Sequence, residues 1–278
     1  MFENRELLIA TKHQKEKVIA PAFKQAFGIK TIVPKDFDTD QFGTFSGEVE
    51  RKKSPLETAK AKALAALAKS NQQLVIASEG SFGPHPNIPF IACDEEFLVL
   101  IDQKNGLEIS ASSLSMETNY ASEEVKNSSS LLTFAEKVNF PSHALILKAN
   151  DGKQLKVVKG IGSEIKLLSE FEELRSISET VRVETDMRAI FNPSRMKVIA
   201  KTTDLLIEKL KSCCPNCTQP GFWVKEKKSG LPCALCGNPT RSIKSEIWAC
   251  ENCDFKEERK DPRGKTEEDP TYCDFCNP

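Results

Sequence analysis

The stretch SPLETAKAKALAALAKSNQQLVIASEGSFGP, residues 54–84, decides how the rest of the chain is read. Its first half predicts a helix. Leu56, Ala59, Ala63, Leu64 and Leu67 recur at helical spacing, and alanine, the residue that disturbs a helix least, dominates. Ser54 suits the N-cap, Pro55 the first turn, and Glu57 completes a capping box. Leu74-Val75-Ile76-Ala77 is the short apolar run of a strand buried on both faces, and Ser78, Glu79, Gly80 and Ser81 follow as a glycine-bearing loop. Glu57 at a helix start and Glu79 at a strand end are therefore candidates to share one metal ion.

Upstream, Glu6-Leu7-Leu8-Ile9-Ala10 predicts a first strand, followed by a polar turn through Lys15 and Lys17. Val18, Ile19, Ala22, Phe23, Ala26 and Phe27 then keep helical spacing up to Gly28; Pro21 favours a helix that starts late, with the proline in its first turn. Strand, polar turn and helix start offer backbone N–H groups and a positive dipole to an anion. The plainer reading is a solvated lysine-rich turn. Residues 35–53 read as a long loop or hairpin, in which Asp38 and Asp40 fit an Asx turn better than a metal site.

Downstream, the prolines around His85 predict an irregular segment, with His85 a weak candidate proton donor near Glu79. Phe97–Ile101 is a strand with a hairpin partner at 106–109, and residues 110–130 are serine-rich with little pattern. A helix over 131–138, strands near 144–148 and 155–158, a helix over 164–175 and a strand over 181–184 follow. The pair Gly160 and Gly162 lacks the third glycine and the strand–helix setting of a dinucleotide fingerprint. Asn192 and Pro193 cap and open a last helix through Leu210. Arg188 and Arg195 flank that helix start and can both reach phosphate; surface ion pairing with Glu184 or Asp186 is an equal alternative. Strands alternating with helices predict a layered α/β domain with a mixed central sheet.

The chain has 278 residues, 39% of them hydrophobic and 28% charged, enough for a large domain and a small one. No apolar run approaches the ~20 residues of a membrane helix, and the start MFENRELLIATKHQ is too polar for a signal peptide, so a cytoplasmic protein is expected. Nine of the ten cysteines lie from Cys213 onward, which predicts a domain over 1–211 and a cysteine-stapled module over 212–278. Cys214-x-x-Cys217, Cys233-x-x-Cys236, Cys250-x-x-Cys253 and Cys273-x-x-Cys276 supply eight sulfurs for two structural Zn²⁺ ions in a zinc-ribbon-like module. Spacing leaves open whether the pairs join in sequence or nested, and Cys213 is spare. Residues 212–278 carry ten Lys/Arg and eleven Asp/Glu, and each Zn(Cys)₄ centre adds about −2. Such an acidic module is a poor nucleic-acid binder, and a protein-docking or lid role is expected instead.

Three segments, in order, resemble the inosine triphosphate pyrophosphatase-like superfamily. Ala10-Thr11-Lys12-His13-Gln14-Lys15 and the helix from Val18 look like its first strand and turn. Glu57-Thr58-Ala59 with Lys62 is similar to its acid-led, alanine-rich helix, and Val75 to Gly80 to its strand ending in an acid and glycine. Ser194-Arg195 echoes a Ser/Arg pair before the last helix of some members. The whole chain also looks like an uncharacterised bacterial family of this two-part build. Lys12 or His13 stands where the relatives carry asparagine, and Ser78 replaces the first of two acids. The resemblance implies Mg²⁺-dependent hydrolysis of a nucleoside triphosphate, in some relatives an aberrant purine, to a monophosphate and pyrophosphate. Glu57 and Glu79 would hold Mg²⁺, while Thr11, Lys15 and Lys62, with Arg188 or Arg195, would hold phosphates. The alternatives are a nucleotide- or phosphate-binding protein without turnover, and a zinc-ribbon nucleic-acid binder.

Overall fold

The computed structural model describes residues 2–34, 37–38, 42, 53–150, 152 and 154–278. The chain divides into two units, Met1–Leu206 and Ile207–Pro278. The expected loop of residues 35–53, with Asp40, lies mostly outside the described residues. Among the described residues no helix is long and apolar enough to cross a membrane.

In the first unit, strand β1 (Glu6–Ala10) leads into helix α1 (Glu16–Phe27), strand β2 (Lys30–Ile32) and helix α2 (Pro55–Ala68). Then come strands β3 (Leu74–His85), β4 (Ile88–Asp102) and β5 (Leu107–Ser115). These strands form a mixed sheet of order β2-β1-β3-β4-β5, with β1 parallel to both β2 and β3 and the rest antiparallel. The capping box on α2 is formed: Ser54 accepts from the Glu57 N–H, and the Glu57 carboxylate accepts from the Ser54 N–H. Ala59, Ala63 and Ala66 let α2 lie close against Leu8, Val75 and Val99 of the sheet.

Two expectations fail here. Helix α1 starts at Glu16, so Pro21 sits inside it and not in its first turn, at the loss of one i→i−4 bond. Strand β3 does not end at Ala77 in a loop; it pairs with β4 from Leu74 to His85. Gly80, Gly83 and Pro84 read as loop formers, but beyond Ala77 the strand is hydrogen-bonded on the β4 side, the kind of half-free edge on which glycine and proline are tolerated.

A second, antiparallel sheet has the order β6-β9-β7-β8, from β6 (Ser122–Val125), β7 (Leu145–Asn150), β8 (Leu155–Ile161) and β9 (Val181–Thr185). Helices α3 (Ser128–Lys137) and α4 (Glu164–Arg175) bury Leu131, Phe134, Leu167 and Phe171 against Leu145, Leu147, Val181 and Val183. Each such side chain contributes about 1.5–3 kcal/mol of burial. The serine-rich stretch expected to lack pattern thus supplies part of β5, all of β6 and the start of α3. Helix α5 (Pro193–Lys211) follows β9, and Asn192 caps it as expected, its Oδ1 accepting from the Arg195 N–H at 2.9 Å.

The second unit carries an antiparallel sheet of order β10-β11-β12, with β10 (Trp223–Ser229), β11 (Ile243–Ala249) and β12 (Lys256–Lys260). Phe222, Trp223, Trp248 and Phe255 form a ring cluster with centroids 5.3–5.8 Å apart, and the Arg259 guanidinium lies 4.0 Å from the Trp248 ring centre.

Candidate functional site

Strand β1 stops at Ala10, opposite Ala77, whereas β3 runs on. From β1 the chain crosses through α1 to β2 on one side; the later crossover through α2 delivers β3 on the other. This is a topological switch point, and in open α/β sheets ligands bind outside the carboxyl ends of strands at such points. The residues delivered there are Thr11 and Lys15 after β1, and Ser78 and Glu79 in β3.

Lys15 is buried, and its ammonium donates to Ser78 Oγ at 2.9 Å. Burial, then the Arg195 cation, pulls its pKa down to about 7 against the opposing pull of Glu96 and Glu79. Lys62 lies on the buried face of α2 beside Ala59, Ala63 and Ala66, where a charge needs a partner, and it ion-pairs with buried Glu79. Arg195, from the first turn of α5, is 1% exposed; its Nε donates to Glu96 Oε1 and its Nη1 to the Met187 carbonyl. Thr11 is buried, and its Oγ1 has no hydrogen-bond partner among the described residues. Thr11, Lys15, Lys62, Glu79 and Arg195 are all buried, and the charges of Lys62, Glu79, Arg195 and Glu96 all act on Lys15.

Glu57 and Arg188 are placed differently. The Glu57 side chain is exposed, and its carboxylate accepts from Ser54 N–H at 3.0 Å and Ser54 Oγ at 2.6 Å; these bonds hold its pKa below the usual carboxylate range. Its capping duty occupies the carboxylate, whereas Glu79 is buried on a lysine. The two acids expected to share an ion thus have different partners and different exposure. Arg188 embraces buried Asp186, which also accepts from the Gly160 N–H, and stacks on Phe191 with 4.6 Å to the ring centre. The ion-pair alternative for Arg188 is the one observed. His85 accepts the Asn87 N–H at the tip of the β3–β4 hairpin, the contact of a turn residue.

Sequence reasoning missed Asp94 and Glu96. Both lie on β4, 1% and 0% exposed. Burial, then the neighbouring Glu96 charge, pushes the Asp94 pKa up to about 8. A signal was available: Asp94, Glu96, Leu98 and Leu100 alternate along one strand face, so the acids enter the layer that the leucines occupy.

In the second unit the eight cysteines form two groups, Cys214, Cys217, Cys250 and Cys253, and Cys233, Cys236, Cys273 and Cys276, with sulfurs within 4.8 Å of one another in each. The pairing is neither sequential nor nested: the first pair joins the third and the second joins the fourth. The sheet dictates this. In β10 and β11, Trp223 faces Ala249, which brings the pair before β10 to the pair after β11. The pair after β10 meets the pair after β12 at the other end, since Ser229 faces Ile243 and Lys260 faces Ser245. Sulfur separations of 3.6–3.9 Å match the roughly 3.8 Å edge of a tetrahedron with about 2.3 Å Zn–S bonds. Backbone N–H groups of Leu235 and Asn252 point at Cys233 and Cys250 sulfur, as thiolate ligands require. Both groups are compatible with structural zinc.

A family model described as Domain of unknown function (DUF6671) matches residues 62–278, spanning both units from Lys62 onward. No protein of curated function matches the chain. One solved structure, protein VC0702 from Vibrio cholerae, is similar over 40% of this chain and 63% of its own length, at 13% identity and a TM-score of 0.27. That likeness is too slight to carry an argument.

Proposed function

The chain belongs to the DUF6671 family, and we propose that its first unit binds a nucleoside triphosphate at the β1–β3 switch point and hydrolyses it to a monophosphate and pyrophosphate. The observation that carries this reading is the pair of buried amines, Lys15 and Lys62, held by Ser78 and Glu79 at the carboxyl end of β1. Amines screened from water attract phosphate oxygens far more strongly than surface lysines do. In this reading Lys15 and Lys62 turn from their internal partners to the phosphate chain, with Thr11 donating its hydroxyl. Glu79, released by Lys62, orients the attacking water toward the α-phosphorus and accepts its proton.

Oxygen donors fit Mg²⁺, and Glu79 offers a buried carboxylate at the right place; Glu57 does not fit, because its carboxylate closes the α2 capping box. When bound, Mg²⁺ would supply charge neutralisation on the phosphate oxygens. The second unit acts as a scaffold with two structural zinc ions, which the sulfur tetrahedra support. Its acidic balance favours a protein partner over nucleic acid.

The test is pyrophosphate release from a panel of nucleoside triphosphates, inosine and xanthosine forms included, with Mg²⁺ and full-length protein. Release that Glu79→Gln abolishes and Glu57→Gln leaves intact supports the assignment. Saturable nucleotide binding without release would make the protein a ligand-binding relative. The engagement of both lysines with internal partners is the observation that favours this second reading.

A further inference from the structure

Strand β4 brings two acids into the first unit on one face. Asp94 and Glu96 are two residues apart, so their side chains leave the same side of the strand, and both are essentially buried. Opposite Glu96 on β3 stands Gly80, where a Cβ would lie 2.5 Å from Glu96 Oε1. The missing side chain is what admits the Glu96 carboxylate. Arg195 takes Glu96 Oε1. The other oxygen, Glu96 Oε2, and Asp94 Oδ1 have no hydrogen-bond partner among the described residues.

A buried carboxylate oxygen without a partner is costly, and two on adjacent same-face positions cost more, because the acids repel each other. Two cations, Arg195 and Lys15, act on the pair, yet neither gives a hydrogen bond to Asp94 Oδ1 or Glu96 Oε2. We propose that Asp94 and Glu96 form a divalent-cation site, binding Mg²⁺ or Mn²⁺ through Asp94 Oδ1 and Glu96 Oε2. The donor chemistry selects a hard, oxygen-seeking ion, and Mg²⁺ commonly takes one or two carboxylates and completes its shell with water and substrate phosphate. The cation site stands on the two acids alone. A role for this ion beside the triphosphate, in addition to the Mg²⁺ that Glu79 would hold, rests on the nucleotide reading above.

The experiment uses the full-length, zinc-loaded protein and Mn²⁺ as probe, followed by electron paramagnetic resonance. The expected result is saturable Mn²⁺ binding by the wild type, weakened at least tenfold in Asp94→Asn and in Glu96→Gln and changed less than twofold in Glu57→Gln. Should a variant misfold, the same question is put to the wild type, where Mn²⁺ should broaden the side-chain carboxyl ¹³C resonances of Asp94 and Glu96 first. Absence of Mn²⁺ binding, binding that both β4 variants retain, or broadening elsewhere overturns the proposal. A parallel titration with a non-hydrolysable triphosphate separates the two ideas. Nucleotide binding lost in Lys15→Ala but kept in Asp94→Asn leaves the nucleotide reading standing even if the cation site falls.

Discussion

Removing the Arg195 cation should destabilise the first unit by an amount set by what happens to Glu96. In Arg195→Met the volume is nearly kept, but Glu96, fully buried, loses the guanidinium on its Oε1 and Met187 loses a donor to its carbonyl. Breaking a buried pair from one side costs about 3–5 kcal/mol. With an assumed slope of about 2 kcal/mol per M urea, the midpoint should fall by roughly 2 M. The double variant Arg195→Met/Glu96→Leu removes the stranded charge and should recover about half of the loss or more, keeping only the Met187 carbonyl deficit. Urea titrations at pH 7, read by circular dichroism, measure both losses. A single-variant loss below about 1 kcal/mol, or a double variant no better than the single, would refute the reasoning.

Asp94 gives a pH signature. Its folded pKa, raised to about 8, lies above that of an unfolded aspartate, so its contribution is present at low pH and is lost as pH climbs through about 8. In magnesium-free buffer, Asp94→Asn should therefore flatten the fall in urea midpoint between pH 4 and 8, a slope of up to about 1.4 kcal/mol per pH unit. Metal analysis should find two zinc ions per wild-type chain. Cys217→Ser/Cys250→Ser should keep one and Cys217→Ser/Cys236→Ser none, whereas sequential pairing predicts the reverse and nested pairing predicts none in either. Glu79→Gln should stop pyrophosphate release, while Glu57→Gln lowers the thermal midpoint through its lost cap and leaves turnover within about twofold.

Local rules read well where the signal is local. The capping box at Ser54 and Glu57, the buried run Leu74–Ala77, the cap at Asn192 and four Cys-x-x-Cys pairs each depend on a few neighbouring residues, and each is present. Most of what failed depends on partners far along the chain, though Glu57 and Pro21 failed on local grounds. Gly80, Gly83 and Pro84 spell a loop until β4 supplies the ladder that keeps them extended. The same glycine at 80 makes room for Glu96, sixteen positions on, a relation that spacing does not encode. Glu57 occupies a place in a motif that suggests a metal ligand, while the stronger local demand of the Ser54 N–H holds it at the helix end. The cysteine pairing was hidden for a further reason: which ends of three strands coincide is a matter of sheet order, and neither arrangement suggested by spacing matches it.

The alternating strand ends have a mechanical result. Because β10, β11 and β12 each run from one four-cysteine group toward the other, the strands that position the sulfurs of one group also position those of its neighbour. Occupancy of one centre should thus raise the affinity of the other. A chelator titration would then strip both ions in a single concerted step, and the module would behave as all-or-none toward metal starvation.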